Sequence, residues 1–137
     1  MNAGRETFHK SERLCSRKII TSLFNNGNAF YSRLFKVVWG LSTASINAPA
    51  QVAFSVLKKS FRLAVTRNLL KRRMREAYRR NKHVLYDFLI RENTGIVFVV
   101  IYKEETVRKY SDIEVSVKEM IEQLIVSVKK SIENEKN

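Results

Sequence analysis

The segment Arg67-Asn-Leu-Leu-Lys-Arg-Arg-Met-Arg-Glu-Ala-Tyr-Arg-Arg80 carries the densest chemistry in this 137-residue chain. Wound at 3.6 residues per turn, it divides into stripes. Leu70, Met74, Ala77 and Tyr78 fall on one face and have to pack on a domain. Asn68, Lys71, Arg72, Arg75 and Arg79 fall on an adjacent arc, with Arg67 at its margin. Leu69, Arg73, Glu76 and Arg80 take the far flank. Guanidinium forks meet phosphate oxygens bidentately, so the arc suits a polyanion. Lys58, Lys59 and Arg62 extend the patch through the preceding turn. A merely solvated helix sets Glu three or four residues from Lys or Arg, whereas a single Glu stands here among seven basic residues. A membrane-surface helix needs a broad apolar face left free for lipid; this stripe is narrow and is needed by the fold.

Protein-borne hydrolysis finds less support. A metal nuclease clusters carboxylates around Mg²⁺, yet residues 13–75 hold thirteen basic residues and no Asp or Glu. The rest of the chain is charge-neutral, so that segment carries the whole net charge of +13. His9 and His83 stand far apart without metal-ligand spacing, and Cys15 is alone, which gives no disulfide framework. No apolar run approaches the roughly 20 residues that span a bilayer. The first residues lack the apolar stretch of a secretory signal. A cytoplasmic protein with no membrane partner is the expectation.

These side chains need a scaffold, and periodicity outlines one. Residues 16–27 read as a helix capped by Ser16, with Ile19, Ile20, Leu23 and Phe24 on one face and Gly27 as a left-handed stop. Strands are expected at 30–39 and 51–57, joined as a hairpin across the loop 41–50. The basic helix spans 66–82, and 95–102, apolar on both faces, reads as a central strand. A last helix runs from 111 to 133, opened by a capping box of Ser111 and Glu114. Ile113, Val117, Met120, Ile121, Leu124, Val128 and Ile132 form its buried stripe. The order is α-β-β-α-β-α, a small α+β sandwich of sheet against helices in a single domain, 1–137, with an ordered core at 10–133.

The stretch from Phe54 to Tyr78 closely resembles the signature of the bacterial ribonuclease P protein component. The matching positions are Ser55, Val56, Lys58, Lys59, Ala64, Val65, Arg67, Asn68, Lys71, Arg72, Arg75, Ala77 and Tyr78. Leu14, Phe24 to Gly27, Ser32, Arg33 and Phe35 resemble the family's first helix and strand, so the likeness spans residues 10–132. Two positions depart from the pattern. Leu69 replaces the second Arg of an Arg-Asn-Arg core, with Arg73 one turn along as a partial substitute. Ser60-Phe61-Arg62 replaces a shorter, Gly-containing turn.

The resemblance implies the ribonuclease P protein / ribosomal protein S5 domain 2-like fold, with a left-handed βαβ crossover through strand 51–57, helix 66–82 and strand 95–102. It implies a monomeric subunit in a 1:1 complex with a catalytic RNA, which removes the 5′ leader from precursor tRNA. The basic helix would hold the RNA subunit. A cleft between the first helix and the sheet, at Ile20, Phe24 and Val38, would take the leader. Mg²⁺ would be held mainly by the RNA. Only one of these three cleft positions is aromatic, and Phe30, Tyr31, Phe35 and Trp39 are candidates either for replacement stacking platforms or for plain core. A ribosomal-type RNA-binding protein without a nuclease is the alternative that the basic helix also fits.

Overall fold

The computed structural model describes residues 7–42 and 48–136. Four helices and one four-stranded sheet succeed one another as α1 (Arg17–Asn26), β1 (Asn28–Tyr31), β2 (Phe35–Leu41), β3 (Ala50–Val56), α2 (Ala64–Asn81), α3 (His83–Arg91), β4 (Ile96–Tyr102) and α4 (Tyr110–Lys136). A short 3-10 turn, Lys10–Glu12, precedes them. The architecture is the α+β sandwich that the patterning predicts.

The expected hairpin between the second and third strands does not form. The sheet order is β1-β2-β4-β3, with β1–β2 and β2–β4 antiparallel and β3–β4 parallel. The stretch expected as one strand at 30–39 is itself a hairpin, in which Ser32 and Phe35 exchange both backbone hydrogen bonds around Arg33 and Leu34. All seven residues of β4 are buried. A strand apolar on both faces needs a neighbour at each edge and a cover on each face, and β4 therefore takes the place between β2 and β3. Of the loop expected at 41–50, residues 43–47 lie outside the described residues; Leu41 closes β2 and Ala50 opens β3.

Alternation along the strands builds two cores. Phe35, Val37 and Trp39 of β2 and Ile96, Phe98 and Val100 of β4 face the larger one, beneath α2, α3 and α4. Tyr78 stands at its centre, its ring 5.8–6.0 Å from those of Phe8, Phe54 and Phe98. Val38, Val97, Val99 and Ile101 face the smaller core, closed by Leu14 and Leu23.

Local signals at the helix ends divide. Ser16 caps α1, its hydroxyl accepting from the Ile19 amide at 3.2 Å. Gly27 is not left-handed (φ −77°, ψ 168°). Glycine is required there by close approach, since a Cβ would lie 2.5 Å from the Leu23 carbonyl oxygen and 3.0 Å from that of Trp39. α4 begins at Tyr110, and the Ile113 amide donates to the Lys109 carbonyl, so Ser111 is a first-turn residue and no capping box forms. Glu114 instead accepts from Asn81 at 3.1 Å, which ties α4 to the end of α2.

α3 has no counterpart in the expected element order. Lys82 keeps helical angles between α2 and α3 (φ −68°, ψ −18°), so the chain turns a corner without a loop. Its side chain is 2% exposed. The ammonium donates to the Glu12 carboxylate and the Thr7 carbonyl, and the Tyr86 hydroxyl donates to the same carboxylate. The His9 amide adds a 2.7 Å bond to Glu12. Burial pushes the Glu12 carboxyl up, but hydrogen bonds from Lys82, Tyr86 and His9 outweigh it, and its pKa lies below the ordinary 4.5.

Removing one partner of a buried pair strands the other charge. Glu12→Gln is expected to cost about 3 kcal/mol at neutral pH, with Glu12→Leu/Lys82→Met recovering most of the loss. Because the folded pKa is depressed, the carboxylate's contribution is complete above about 4.5 and fades as pH falls through the folded value. Urea denaturation of wild type and Glu12→Gln should therefore converge in acid.

Candidate nucleic-acid interface

α2 is anchored by the expected stripe: Leu70, Met74, Ala77 and Tyr78 are all 0% exposed. The polar arc points outward. Asn68, Arg72 and Arg75 are exposed and Lys71 is half-buried. These four make no side-chain hydrogen bond or ion pair with any described residue. No acidic residue stands in the first turn of α2. Lys58, Lys59 and Arg62 are exposed in the segment between β3 and α2.

The remaining cations of the expected patch are engaged. Arg67 donates from Nη1 to the carbonyls of Phe61 (2.8 Å) and Arg62 (2.9 Å), and so holds the turn that leads into its own helix. Phe61 pins the same turn from the inside, 8% exposed and with its ring 6.0 Å from Tyr102. The Ser60-Phe61-Arg62 insertion thus needs no glycine; among the described residues only Asn93 has a positive φ outside glycine. Arg79 forms a two-point ion pair with Glu76, at 2.9 and 2.7 Å, and this hydrogen bonding holds the Glu76 carboxyl below its usual pKa. Arg73, one turn along from Leu69, is tied down by a backbone contact. Its Nη1 donates at 2.6 Å to the Arg108 carbonyl, tying α2 to the loop after β4. Tyr102 braces that loop, donating to Thr106 at 2.7 Å and accepting from the Arg108 amide at 3.1 Å.

The second candidate surface lies on the opposite sheet face. Ile20 packs half-buried on the smaller core, Val38 is 4% exposed in its floor, and Phe24, one helical turn beyond Ile20, is 52% exposed. Among the aromatic residues weighed as cleft platforms, Phe35 and Trp39 belong to the larger core and Phe30 packs against it. Tyr31 differs. It is 65% exposed and pairs with Lys36, which alternates with Val38 onto the smaller-core face. The Lys36 ammonium stands 5.7 Å from the Tyr31 ring centroid. Alternation places Tyr31 there once the β1–β2 register is known; the sequence read as one continuous strand hides it.

Among the described residues no three His, Cys, Asp or Glu side chains converge as a metal site. No helix there is long and apolar enough to cross a membrane.

This sheet with its covering helices recurs in solved structures. It superposes on the ribonuclease P protein of Thermotoga maritima with a TM-score of 0.66 at 23% identity, covering 82% of this chain and 96% of that one. The Staphylococcus aureus protein gives 0.62 at 19% identity, covering 84% and 95%. These likenesses define the fold. The sequence model of the family described as Ribonuclease P matches residues 8–132. A ribonuclease P protein component of Porphyromonas gingivalis is 43% identical over 97 residues, 69% of this chain and 71% of its own length. One from Chlorobium phaeobacteroides is 37% identical over 83 residues, 58% and 57% of the two chains. The chain belongs to the ribonuclease P protein family, and its role is that of the protein subunit of the endoribonuclease that processes the 5′ end of tRNA.

The contacts of Arg67 and Arg72 separate a structural from an exposed cation. Arg67→Ala should lower stability by about 1.5 kcal/mol through loss of its charge-assisted bonds to two carbonyls, whereas Arg72→Ala should leave the melting temperature unchanged. Thermal denaturation of the two variants checks the contrast.

Proposed function

We propose that this chain docks on the catalytic RNA of ribonuclease P through the outward arc of α2 and the segment before it, and takes the 5′ leader of precursor tRNA on the α1 face of the sheet. The observation that carries the docking surface is the uncompensated state of Lys58, Lys59, Arg62, Lys71, Arg72 and Arg75. Desolvated phosphates would supply the counter-charges that the fold withholds. Asn68 can add a hydrogen bond. Arg67 and Arg79 contribute field to the surface, but each first serves the protein's own structure.

Ile20, Phe24 and Val38 form one side of the leader surface, and Tyr31 with Lys36 supplies what a single strand needs, a stacking face beside a cation. The cutting is assigned to the RNA. This chain offers no converging carboxylates for Mg²⁺ among its described residues, so the metal is assigned to RNA phosphates. The chain acts as a single domain with its core at 10–133, as a monomer in a 1:1 complex, in the cytoplasm.

Reconstitution tests the whole reading. The protein added to a bacterial ribonuclease P RNA should permit cleavage of precursor tRNA at low Mg²⁺, where the RNA alone is slow; no change on addition overturns it. Arg72→Ala or Arg75→Ala should each weaken binding to the RNA and remove roughly 0.7–0.9 from the log–log salt slope. Phe24→Ala or Tyr31→Ala should leave that binding intact and reduce discrimination between precursor and mature tRNA, by roughly fivefold or more for loss of one stacked base. Full discrimination in both variants would remove the leader surface from this face.

A further inference from the structure

The docking surface contains a feature that phosphate contacts do not use. Leu63 is 68% exposed at the start of α2 and Val65 is 76% exposed in its first turn. Leu69, half-buried, stands four residues after Val65, and Arg72 seven. Val65, Leu69 and Arg72 share one line along the helix, and Leu63, in extended backbone at the N-cap, stands before that line begins. The departure from the family pattern at Leu69 thus extends an exposed apolar line rather than merely deleting a charge. Water gains nothing from it, and none of the three residues belongs to either core.

We propose that Val65 and Leu69 form an apolar strip that, together with the exposed Leu63 at the helix start, packs on the faces of unstacked nucleobases of the RNA subunit. This rests on the docking reading and adds a contact of different physical kind. The strip is bordered by Arg62, Asn68 and Arg72, with Lys58 and Lys59 in the turn before it, and residues 13–75 hold no carboxylate. A second copy of this chain would bring the same cations against themselves, and an RNA brings phosphates to meet them. Within an RNA, apolar surface is offered by base faces. In loops and bulges these are free of their neighbours. Phosphate contacts alone carry no direct sequence information. A strip that accepts only splayed bases would direct a strongly cationic protein to one place on a large RNA.

The two kinds of contact respond differently to salt. Burial of apolar surface releases no counterions, so its loss lowers affinity without changing the salt slope. The test is a salt titration of binding to a bacterial ribonuclease P RNA for wild type, Leu63→Ala/Val65→Ala/Leu69→Ala, and Arg72→Ala. For the triple variant we expect affinity to fall by roughly tenfold at every salt concentration, with the slope of wild type. Its affinity for a regular RNA duplex, whose bases are stacked, should be unchanged. Unchanged affinity for the RNA subunit overturns the proposal, as does a flattened slope or an equal loss on the duplex. Sedimentation showing a wild-type dimer that the triple variant dissolves also overturns it, in favour of a second copy. Arg72→Ala reports on the docking reading separately: if neither its affinity nor its slope changes, that reading fails whatever the triple variant does. Should the triple variant melt early through Leu69, Leu63→Ala/Val65→Ala repeats the measurement with side chains that stand outside the core.

Discussion

The architecture depends on β4 being buried on both faces. Seven consecutive apolar residues cannot lie at an edge or with one side in water, and their central placement constrains every other element of the sheet. β2 and β3 are pushed apart, β3 has to return in parallel, and the connection becomes the crossover that carries α2. Each face of β4 then demands its own cover. The larger is met by α2, α3 and α4, and the buried stripe of α2 leaves its cations outside. The smaller is met by α1 and the segment at Leu14 before it, and β1 keeps an exposed tyrosine on that face. Two surfaces with separate tasks thus arise from the burial needs of one strand.

Net charge is a poor guide to which cations act on a partner. Of the basic residues in and before α2, some are spent inside the protein: Arg67 on turn carbonyls, Arg73 on the Arg108 carbonyl, Arg79 on Glu76. Lys82, just beyond, is buried against Glu12. What remains is a smaller and more continuous set, Lys58 to Arg75. An exposed ion pair such as Arg79–Glu76 contributes little to stability. Its effect is to blunt the field locally, around Glu76 and Arg79.

The periodic elements were legible in the sequence because burial repeats at fixed intervals. The α2 stripe, the α4 stripe and the central placement of β4 all derive from which residues can face a core. Pairing was not legible in the same way. The hairpin of residues 30–39 with 51–57 satisfies each strand locally, and only the two-sided demand of β4 excludes it. α3 escaped notice because Lys82 continues the helical backbone where a loop residue would have marked a break. The purpose of that lysine lies at Glu12, seventy residues away. Gly27 shows the converse: the helix stop was correctly placed, but the reason is a carbonyl too close for a Cβ rather than a positive φ. At the candidate site, residue type identified the cations, and geometry alone told the engaged from the exposed.

Synthesis runs from the N-terminus, and the order of elements along the chain then has a temporal meaning. β2 and β3 are complete by residue 56, yet neither neighbours the other, and the strand that joins them ends at residue 102. Every cation of the segment 13–75 therefore leaves the ribosome before the sheet can close, and the segment holds no carboxylate of its own to offset them. For that interval the nascent chain is a polycation without its closed sheet, emerging from a particle made largely of RNA. The late central strand sets how long this exposure lasts, which makes the timing of β4 as much a property of this protein as its place in the sheet.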